Sequence, residues 1–162
     1  MARKSEEARG PVDLNSIIAD VVLFVRSDAL ERHCAIVTEP DPKLPMVRAN
    51  PVLLQQVLLN IIINAFDAMP ETPTVDRRVI IQTECDRRVR VSVRDFGIGL
   101  PAENPERIFE HFFSTKHDGL GMGLAIARLI IASHGGELAA ANAEGGGTCV
   151  HFWLPALAEG EA

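Results

Sequence analysis

The spacing of apolar residues along the chain predicts three amphipathic helices, over residues 14–25, 51–69 and 121–134. Asp13 precedes the first helix and Asn50 precedes the second, and both residue types are frequent helix N-caps. The second helix also carries a proline at its first helical position, where the missing N–H costs nothing. The third helix stops at a pair of glycines. Each helix therefore has an apolar face that must pack against another layer.

Strand patterns fill the segments between these helices. Valines alternate with polar residues over 88–94, which predicts a strand with one buried face and one face in water. Further strands are predicted over 34–40, 46–49 and 77–84, and a closing hairpin over 137–155. The mixture predicts an α/β (α+β) fold: a two-layer α/β sandwich with a mixed, mostly antiparallel sheet packed on three helices.

The pattern also suggests where the domain begins and ends. We expect one domain over residues 13–156, a charged and flexible connection over 1–12, and a short tail over 157–162. Between residues 100 and 121 the periodicity dissolves, apart from a short helix predicted over 105–112. A loop this long inside a domain is usually functional or disordered.

Composition narrows the classes of function. The chain has 162 residues and a formal net charge of −6, which argues against general nucleic-acid binding, because such proteins usually carry a basic patch. No apolar run approaches the roughly 20 residues that span a bilayer, and the first residues lack the apolar core of a signal peptide. Cys34, Cys85 and Cys149 are scattered and form no metal or disulfide pattern. We therefore expect free thiols in a cytoplasmic protein.

The second predicted helix carries polar residues on one face, although the helix otherwise has the composition of a buried helix. Asn60, Asn64 and Asp67 are spaced at i, i+4 and i+7, whereas the residues around them are aliphatic. Burying such groups unpaired would cost roughly 1–3 kcal/mol each. They are therefore either satisfied inside the protein or bound to something polar and removable. An amide oxygen facing phosphates is a suitable ligand for Mg²⁺.

Two glycine-rich segments favour the second alternative. Asp95 ends a strand and is followed by Gly97 and Gly99. An ionised carboxylate only accepts hydrogen bonds, so it suits the exocyclic amine of adenine, although an ordinary strand-end turn would read the same way. The segment 119–123, "GLGMG", opens the third helix, where free backbone N–H groups can bind phosphate. It lacks the Lys-Ser/Thr of a Walker A motif, which indicates a phosphate site of another kind.

These elements, in this order, closely resemble the catalytic ATP-binding domain of bacterial sensor histidine kinases, within the wider family of gyrase, Hsp90, MutL and histidine kinases. "NIIINAFDA" resembles the family's N box, "DFGIG" its G1 box, "IFEHFFSTK" the F box of its mobile lid, "GLGMGL" its G2 box and "EGGGT" its last glycine motif. The resemblance covers about residues 12–156 and is greatest to kinases of the nitrogen-regulation and oxygen-sensor type. It implies an α/β sandwich of the Bergerat ATP-binding type.

The resemblance also implies a role for each matching residue. Asn64 matches the Mg²⁺-binding asparagine, Asn60 lines the phosphates one turn earlier, and Asp67 would support the site through water. Asp95 matches the adenine-binding aspartate. Lys116 is a candidate for contacting the γ-phosphate from the lid, so the catalytic positions are Asn60 and Lys116. The remaining implied contacts with ATP come from Gly97, Gly99, Gly119, Leu120, Gly121, Gly123, Leu124 and Thr148, and Phe109, Phe112 and Phe113 would anchor the lid.

One position separates the branches of this family. Members that hydrolyse ATP carry a glutamate where this chain has Asn60, and an asparagine cannot act as a general base. The resemblance therefore implies transfer of the γ-phosphoryl group of Mg-ATP to a histidine side chain, in which the protein mainly positions groups and stabilises charge. A non-catalytic nucleotide-binding regulatory module and an ATPase of the gyrase or Hsp90 branch remain as alternatives.

The acceptor histidine is expected outside this chain. The context of a phosphoacceptor, a histidine followed by an acidic residue on a dimerisation helix, is absent around His33, His111, His117, His134 and His151. The implied partners are the histidine-containing dimerisation domain of the same kinase and, indirectly, a response regulator receiver domain. We expect no contact with nucleic acid or membrane, and a monomer when the domain is isolated.

Overall fold

Seven strands and four α-helices make up the part of the chain that the computed structural model describes, residues 8–100, 108–109 and 123–158. In chain order they are β1 (Gly10–Val12), α1 (Leu14–Phe24), α2 (Arg26–Glu31), β2 (Ala35–Glu39), β3 (Val47–Ala49), α3 (Pro51–Asp67), β4 (Arg78–Asp86), β5 (Arg88–Arg94), α4 (Gly123–Ser133), β6 (Glu137–Asn142) and β7 (Thr148–Pro155). A short 3-10 turn, Thr74–Asp76, precedes β4.

The predicted N-caps are confirmed by their hydrogen bonds. The Asp13 carboxylate accepts a hydrogen bond from the N–H of Asn15 at 3.0 Å. The Asn50 side chain accepts from the N–H groups of Val52 and Leu53, at 3.0 and 3.4 Å. Both caps satisfy backbone donors that the first helical turn leaves without partners. They fix where α1 and α3 begin.

The main sheet has five strands in the order β2-β4-β5-β7-β6. The β2 and β4 strands run parallel, and the other neighbours are antiparallel. The helices lie on one face of this sheet, where α3 packs against β5, and α4 packs against β6 and β7. The prediction of a two-layer α/β sandwich with a mixed, mostly antiparallel sheet is therefore confirmed.

Two local predictions differ from the structure. The helix predicted over residues 14–25 is two helices, because Val25, which is buried, has a non-helical backbone with φ −92° and ψ 4°. The turn predicted at residues 85–87 is shorter, since β4 and β5 continue to Asp86 and Arg88 and leave Arg87 at φ +66°. The predicted helix over 105–112 lies outside the described residues, apart from Ile108 and Phe109.

The segment that we assign to a connection, residues 1–12, contains a strand. In β1, Gly10–Val12, the chain pairs antiparallel with β3, and Val12 is buried. The sequence predicted neither this two-stranded sheet nor its burial, because three residues are too few for an alternating pattern to show. The division of the chain at residue 13 stays a prediction.

The core lies between the sheet and α3 and α4. Its largest fully buried side chains include Leu54, Leu58, Ile61 and Ile62 of α3, Ile131 of α4 and Phe152 of β7. Their close packing holds the polar face of α3 at a defined place above the sheet. Within the described ranges, every helix is too short or too polar to span a lipid bilayer.

Candidate nucleotide-binding site

Asp95 lies directly after β5 and is almost completely buried, with 2% of its surface exposed. Its Oδ1 atom accepts hydrogen bonds from the N–H groups of Gly97 and Thr148, at 2.9 and 3.1 Å. Its own N–H donates to the carbonyl of Thr148 at 2.9 Å. The carboxylate is thus held by the backbone of two segments, whereas Oδ2 accepts no hydrogen bond from the described residues.

Burial decides the protonation behaviour of this carboxyl group. Loss of solvation raises the pKa of Asp95, while the hydrogen bonds from Gly97 and Thr148 and the charge of Arg94 lower it, and the net pKa is raised. The two backbone donors favour the ionised form in which both oxygens accept. A carboxylate in this environment leaves one oxygen ready for a donor that enters from outside.

Two glycines allow the backbone to close around Asp95. A Cβ on Gly97 would lie 2.0 Å from the carbonyl oxygen of Ala68, the C-cap of α3. A Cβ on Gly147 would lie 2.1 Å from the carbonyl oxygen of Asp95, and Gly147 also has φ +80°. The contact of Gly97 with a nucleotide stays a prediction, and the structure adds that Ala68 occupies the space that a side chain at this position would need. We call Asp95, Gly97, Gly147 and Thr148 the carboxylate end of the site.

Gly99 is held where the chain leaves this end. It has φ +80°, a backbone conformation that glycine adopts without strain. The next residue, Leu100, donates its N–H to the side-chain oxygen of Asn142 at 2.9 Å. Asn142 ends β6, so this bond ties the glycine motif to the sheet. Sequence reasoning missed Asn142, because a single asparagine at the end of a strand gives no distinctive signal.

The polar face of α3 forms the other end. Asn60 donates from Nδ2 to the carbonyl of Gly123 at 3.1 Å, which joins it to the start of α4. Asn64 is half-buried, and its side chain has no hydrogen bond to any described residue. We call Asn60, Asn64 and Gly123 the amide end. The rise of an α-helix places Asn60 about 12 Å along α3 from Ala68, which contacts the carboxylate end.

Asp67 forms an ion pair with a residue that was not predicted from the sequence to belong to the site. Arg32, which follows α2, donates to the Asp67 carboxylate at 2.8 Å, and its guanidinium also lies 5.4 Å from the centre of the Phe66 ring. The carbonyl of Arg32 in turn accepts from the guanidinium of Arg77 at 2.9 Å. Arg32 and Asp67 are 35 residues apart, and no periodicity in the sequence links positions that far apart.

The remaining predicted contacts divide into described and undescribed residues. Thr148 is buried and reaches Asp95 through its backbone, and Leu124 is buried at the start of α4. The guanidinium carbon of Arg128 in α4 lies 4.2 Å from the centre of the Phe109 ring. The residues Phe112, Phe113, Lys116, Gly119, Leu120 and Gly121 lie outside the described part of the chain.

The donor set at the amide end fits a magnesium ion better than a softer metal. Among the described residues there is no cluster of three histidine, cysteine, aspartate or glutamate side chains that could hold a metal ion. Mg²⁺ commonly binds through one or two protein oxygens while it keeps several waters and contacts substrate phosphates. The carbonyl of the Asn64 side chain is an oxygen of the right hardness, and it has no other partner among the described residues.

The sequence matches the family described as "Histidine kinase-, DNA gyrase B-, and HSP90-like ATPase" over residues 49–158. Among characterised relatives, the sensor histidine kinase ZraS of Klebsiella oxytoca is 40% identical over 145 residues, which are 89% of this chain and 31% of ZraS. The sensor protein TdiS of Thauera aromatica is 35% identical over 155 residues, 94% of this chain and 28% of TdiS. The chain thus spans less than a third of the length of these relatives.

Solved structures give the same picture. The nucleotide-free catalytic domain of histidine kinase ThkA superposes with a TM-score of 0.80 at 32% identity, covering 91% of this chain and 95% of that domain. Full-length ShkA in complex with AMPPNP superposes with a TM-score of 0.80 at 31% identity, covering 96% of this chain and 32% of ShkA. ThkA in complex with the response regulator TrrA superposes with a TM-score of 0.76 at 29% identity, covering 92% and 42% of the two chains.

Proposed function

Because the chain belongs to the family of histidine kinase-, DNA gyrase B- and HSP90-like ATPases, we propose that it binds Mg-ATP and donates the γ-phosphoryl group to a histidine on a separate dimerisation domain. Its characterised relatives are sensor histidine kinases, and the solved structures it resembles are their catalytic domains. The chain would therefore be the ATP-binding part of a two-component signalling kinase.

The arrangement of Asp95 is the observation that carries this proposal. Its Oδ1 is fully used by two backbone donors, and its Oδ2 is left to accept from the ligand. A buried acceptor favours the exocyclic amine of adenine and disfavours the carbonyl that guanine presents at the same position, since a carboxylate cannot donate. An unmatched polar group at a buried site would cost about 1–3 kcal/mol, which is sufficient for base selection.

The amide end would hold the phosphates and the metal. Asn64 would bind Mg²⁺, which supplies neutralisation of the negative charge on the phosphates. Asn60 uses one Nδ2 proton for Gly123, so its second Nδ2 proton remains for a phosphate oxygen and its carbonyl oxygen for water around the phosphates. Asn60 offers no general base for activating water, which favours transfer to a side chain over hydrolysis. The Arg32–Asp67 ion pair would keep the end of the N box in place beside them.

The proposal includes further contacts with ATP that the family resemblance implies. They come from residues outside the described part of the chain: Lys116, Gly119, Leu120 and Gly121. The proposed partners are the dimerisation domain of the parent kinase and, through it, the receiver domain of a response regulator. ThkA, which this chain resembles, has been solved in complex with such a regulator. We place the domain in the cytoplasm, where ATP and the regulator are found.

The direct test joins this chain to the dimerisation domain of its parent kinase and supplies γ-labelled ATP with Mg²⁺. We expect label on a histidine of the dimerisation domain, as a phosphoramidate that is lost in acid and kept in base. The Asp95→Asn variant serves as a matched control with an intact fold and should incorporate little label. Release of free phosphate without labelled protein would indicate an ATPase, and nucleotide binding without either would indicate a regulatory module.

A further inference from the structure

We propose that His134 is a positioning residue that fixes the axial register of α4 against α3. Through that register it sets where Gly123, the first residue of α4, lies relative to Asn60. The inference rests on the proposed function for the role of Asn60 in nucleotide binding, whereas the register itself is a property of the empty domain. His134 makes no contact with the amide end and would act entirely through α4.

The His134 ring is buried, with 7% of its surface exposed, and both ring nitrogens have partners. The Nε2 atom accepts a hydrogen bond from the backbone N–H of Asn50 at 3.2 Å. The nitrogen that accepts has no proton, so the proton is on Nδ1, which donates to the carbonyl of Ile130 at 2.8 Å. Ser133 Oγ lies 3.2 Å from the same Nδ1. The ring therefore connects the end of α4 to the N-cap of α3.

A second polar contact joins the same two helices at the other end of α4. Asn60 of α3 donates to the carbonyl of Gly123, the first residue of α4. From Asn50 to Asn60 and from Gly123 to His134 the helices rise by about 15 Å each, at roughly 1.5 Å per residue. The helices are antiparallel, and two hydrogen bonds separated by the length of α4 fix their alignment.

The surface between these two bonds is apolar. Val57 and Leu58 of α3 and Ala127 and Ile131 of α4 are buried in one cluster. Apolar burial is favourable in many alignments, because it depends on area and has little directionality. Hydrogen bonds require a narrow range of distance and angle, so they select one alignment among those that the apolar surfaces permit. A shift of α4 by even 1 Å would displace Gly123 from Asn60.

The bond from Asn50 exists only while the His134 ring is neutral. Protonation of Nε2 would place a donor against the Asn50 N–H, and the bond would be lost. Burial lowers the pKa of His134, the charge of Arg9 lowers it further, and the hydrogen bond to the Ile130 carbonyl raises it. Arg9 is the charged group of the described residues that faces this helix end, and it donates to the carbonyl of Ser133 at 3.0 Å. A protonated histidine at the C-terminal end of a helix would favour the helix dipole, whereas the ring of His134 is a neutral acceptor.

The functional test compares His134→Gln, which keeps an acceptor near the place of Nε2 and does not titrate, with His134→Leu, which has no acceptor. Affinity for a non-hydrolysable ATP analogue with Mg²⁺ is measured by calorimetry from pH 8 to pH 5.5. We expect about fivefold weaker binding by His134→Leu at pH 8, the equivalent of one lost hydrogen bond, and nearly normal binding by His134→Gln. His151→Gln removes a histidine on the other face of the sheet and is the matched control.

The pH profile separates positioning from simple loss of packing. Wild-type affinity should fall more steeply below pH 6.5 than that of His134→Gln, while His151→Gln should follow the wild type. If His134→Leu does not fold, the pH profiles of the wild type and His134→Gln still test the proposal. A folded His134→Leu with wild-type affinity would overturn the proposal, and so would a wild type that keeps the affinity of His134→Gln at a pH where NMR shows the His134 ring protonated.

A measurement on the nucleotide-free domain distinguishes the register proposal from the proposed function. Exchange of the Asn50 amide proton, followed by NMR, should be slow in wild type and in His134→Gln, and about tenfold faster in His134→Leu. The ring nitrogens of His134 should report the neutral form with its proton on Nδ1. Failure of the wild type to bind ATP would refute the proposed function and leave this result standing. Equal exchange of the Asn50 amide in all variants would refute the register bond itself.

Discussion

The carboxylate end and the amide end of the site are built in opposite ways. At the carboxylate end, Asp95 is buried and held by two backbone N–H groups, and Gly97 and Gly147 have no room for a side chain. At the amide end, Asn60 makes one hydrogen bond and Asn64 makes none to the described residues, although both lie on a well-packed helix.

This difference suggests a division of labour along α3. Recognition of a flat base benefits from a rigid acceptor, because an ordered group loses little entropy when the ligand binds. Phosphates and a hydrated metal ion are held better by side chains whose hydrogen-bonding capacity the protein leaves unused. Mutations that crowd the carboxylate end or remove its backbone acceptor should therefore damage both folding and binding, whereas mutations at the amide end should damage binding with a smaller effect on folding.

The largest effect should follow from adding a methyl group at the carboxylate end. Gly97→Ala and Gly147→Ala would each bring a Cβ to about 2 Å from a backbone carbonyl oxygen, which cannot move without shifting α3 or β5. We expect each to lower the free energy of unfolding by about 3 kcal/mol, measured by urea denaturation. Gly10→Ala, where a Cβ would meet nothing within 4 Å, is the control. Equal stability of all three variants would show that this end is not tightly packed.

Asp95 gives the next largest effect and separates folding from binding. Asp95→Ala would leave the N–H groups of Gly97 and Thr148 without their acceptor, at a cost of about 1–3 kcal/mol of stability. Asp95→Asn keeps a carbonyl for those donors and replaces the other acceptor with an amine. It should be no less stable than the wild type and should bind ATP at least tenfold more weakly by calorimetry. Unchanged affinity in a folded Asp95→Asn would refute the adenine assignment.

The pH dependence of stability provides an independent check on Asp95. Because burial raises the pKa of this carboxyl in the folded state, the folded protein holds its proton more tightly than the unfolded chain. Its stabilising contribution is therefore present at low pH and is lost as pH rises through the folded-state pKa. Asp95→Asn should gain stability relative to the wild type as pH rises from about 3 toward 7. A difference that shrinks over this range would mean that the backbone donors outweigh burial.

Much of this site can be predicted from local sequence. The cap at Asn50, the helical spacing of Asn60 and Asn64, and the place of Asp95 at a strand end are all properties of short segments. Periodicity of apolar residues fixes which face of a helix or strand is buried. The face that remains then tells which polar residues can line a site.

Contacts between distant segments could not be predicted. The packing of Gly97 on Ala68 and the Arg32–Asp67 pair both depend on how α3 lies against neighbours that are far away in sequence. Arginine and glycine occur in many contexts, and neither residue type identifies its partner. For the same reason the sequence could not identify what excludes a side chain at Gly97: it shows that a side chain is absent and cannot show which atoms occupy the space.

A moderate effect is expected at Asn60, whose side chain is hydrogen-bonded to the first residue of α4. Asn60→Ala removes the bond to the Gly123 carbonyl, so the free energy of unfolding should fall by about 1 kcal/mol. Asn60→Asp retains the size of the side chain but not the donor, and should show a similar loss. If denaturation midpoints of both variants coincide with that of the wild type, the contact does not contribute to holding α4.

The smallest effect on stability and the clearest effect on function should coincide at Asn64. This side chain is half-buried and makes no hydrogen bond to the described residues, so Asn64→Ala should change the free energy of unfolding by no more than about 0.5 kcal/mol. If Asn64 supplies the oxygen for Mg²⁺, the same variant should bind ATP equally well with and without the ion, in contrast to the wild type. Calorimetry with Mg²⁺ and with EDTA measures this difference.

Asn64→Asp, which keeps an oxygen at the same place, should retain the dependence on Mg²⁺. A loss of several kcal/mol in Asn64→Ala would instead identify Asn64 as a satisfied core residue, and the contrast between the two ends would disappear.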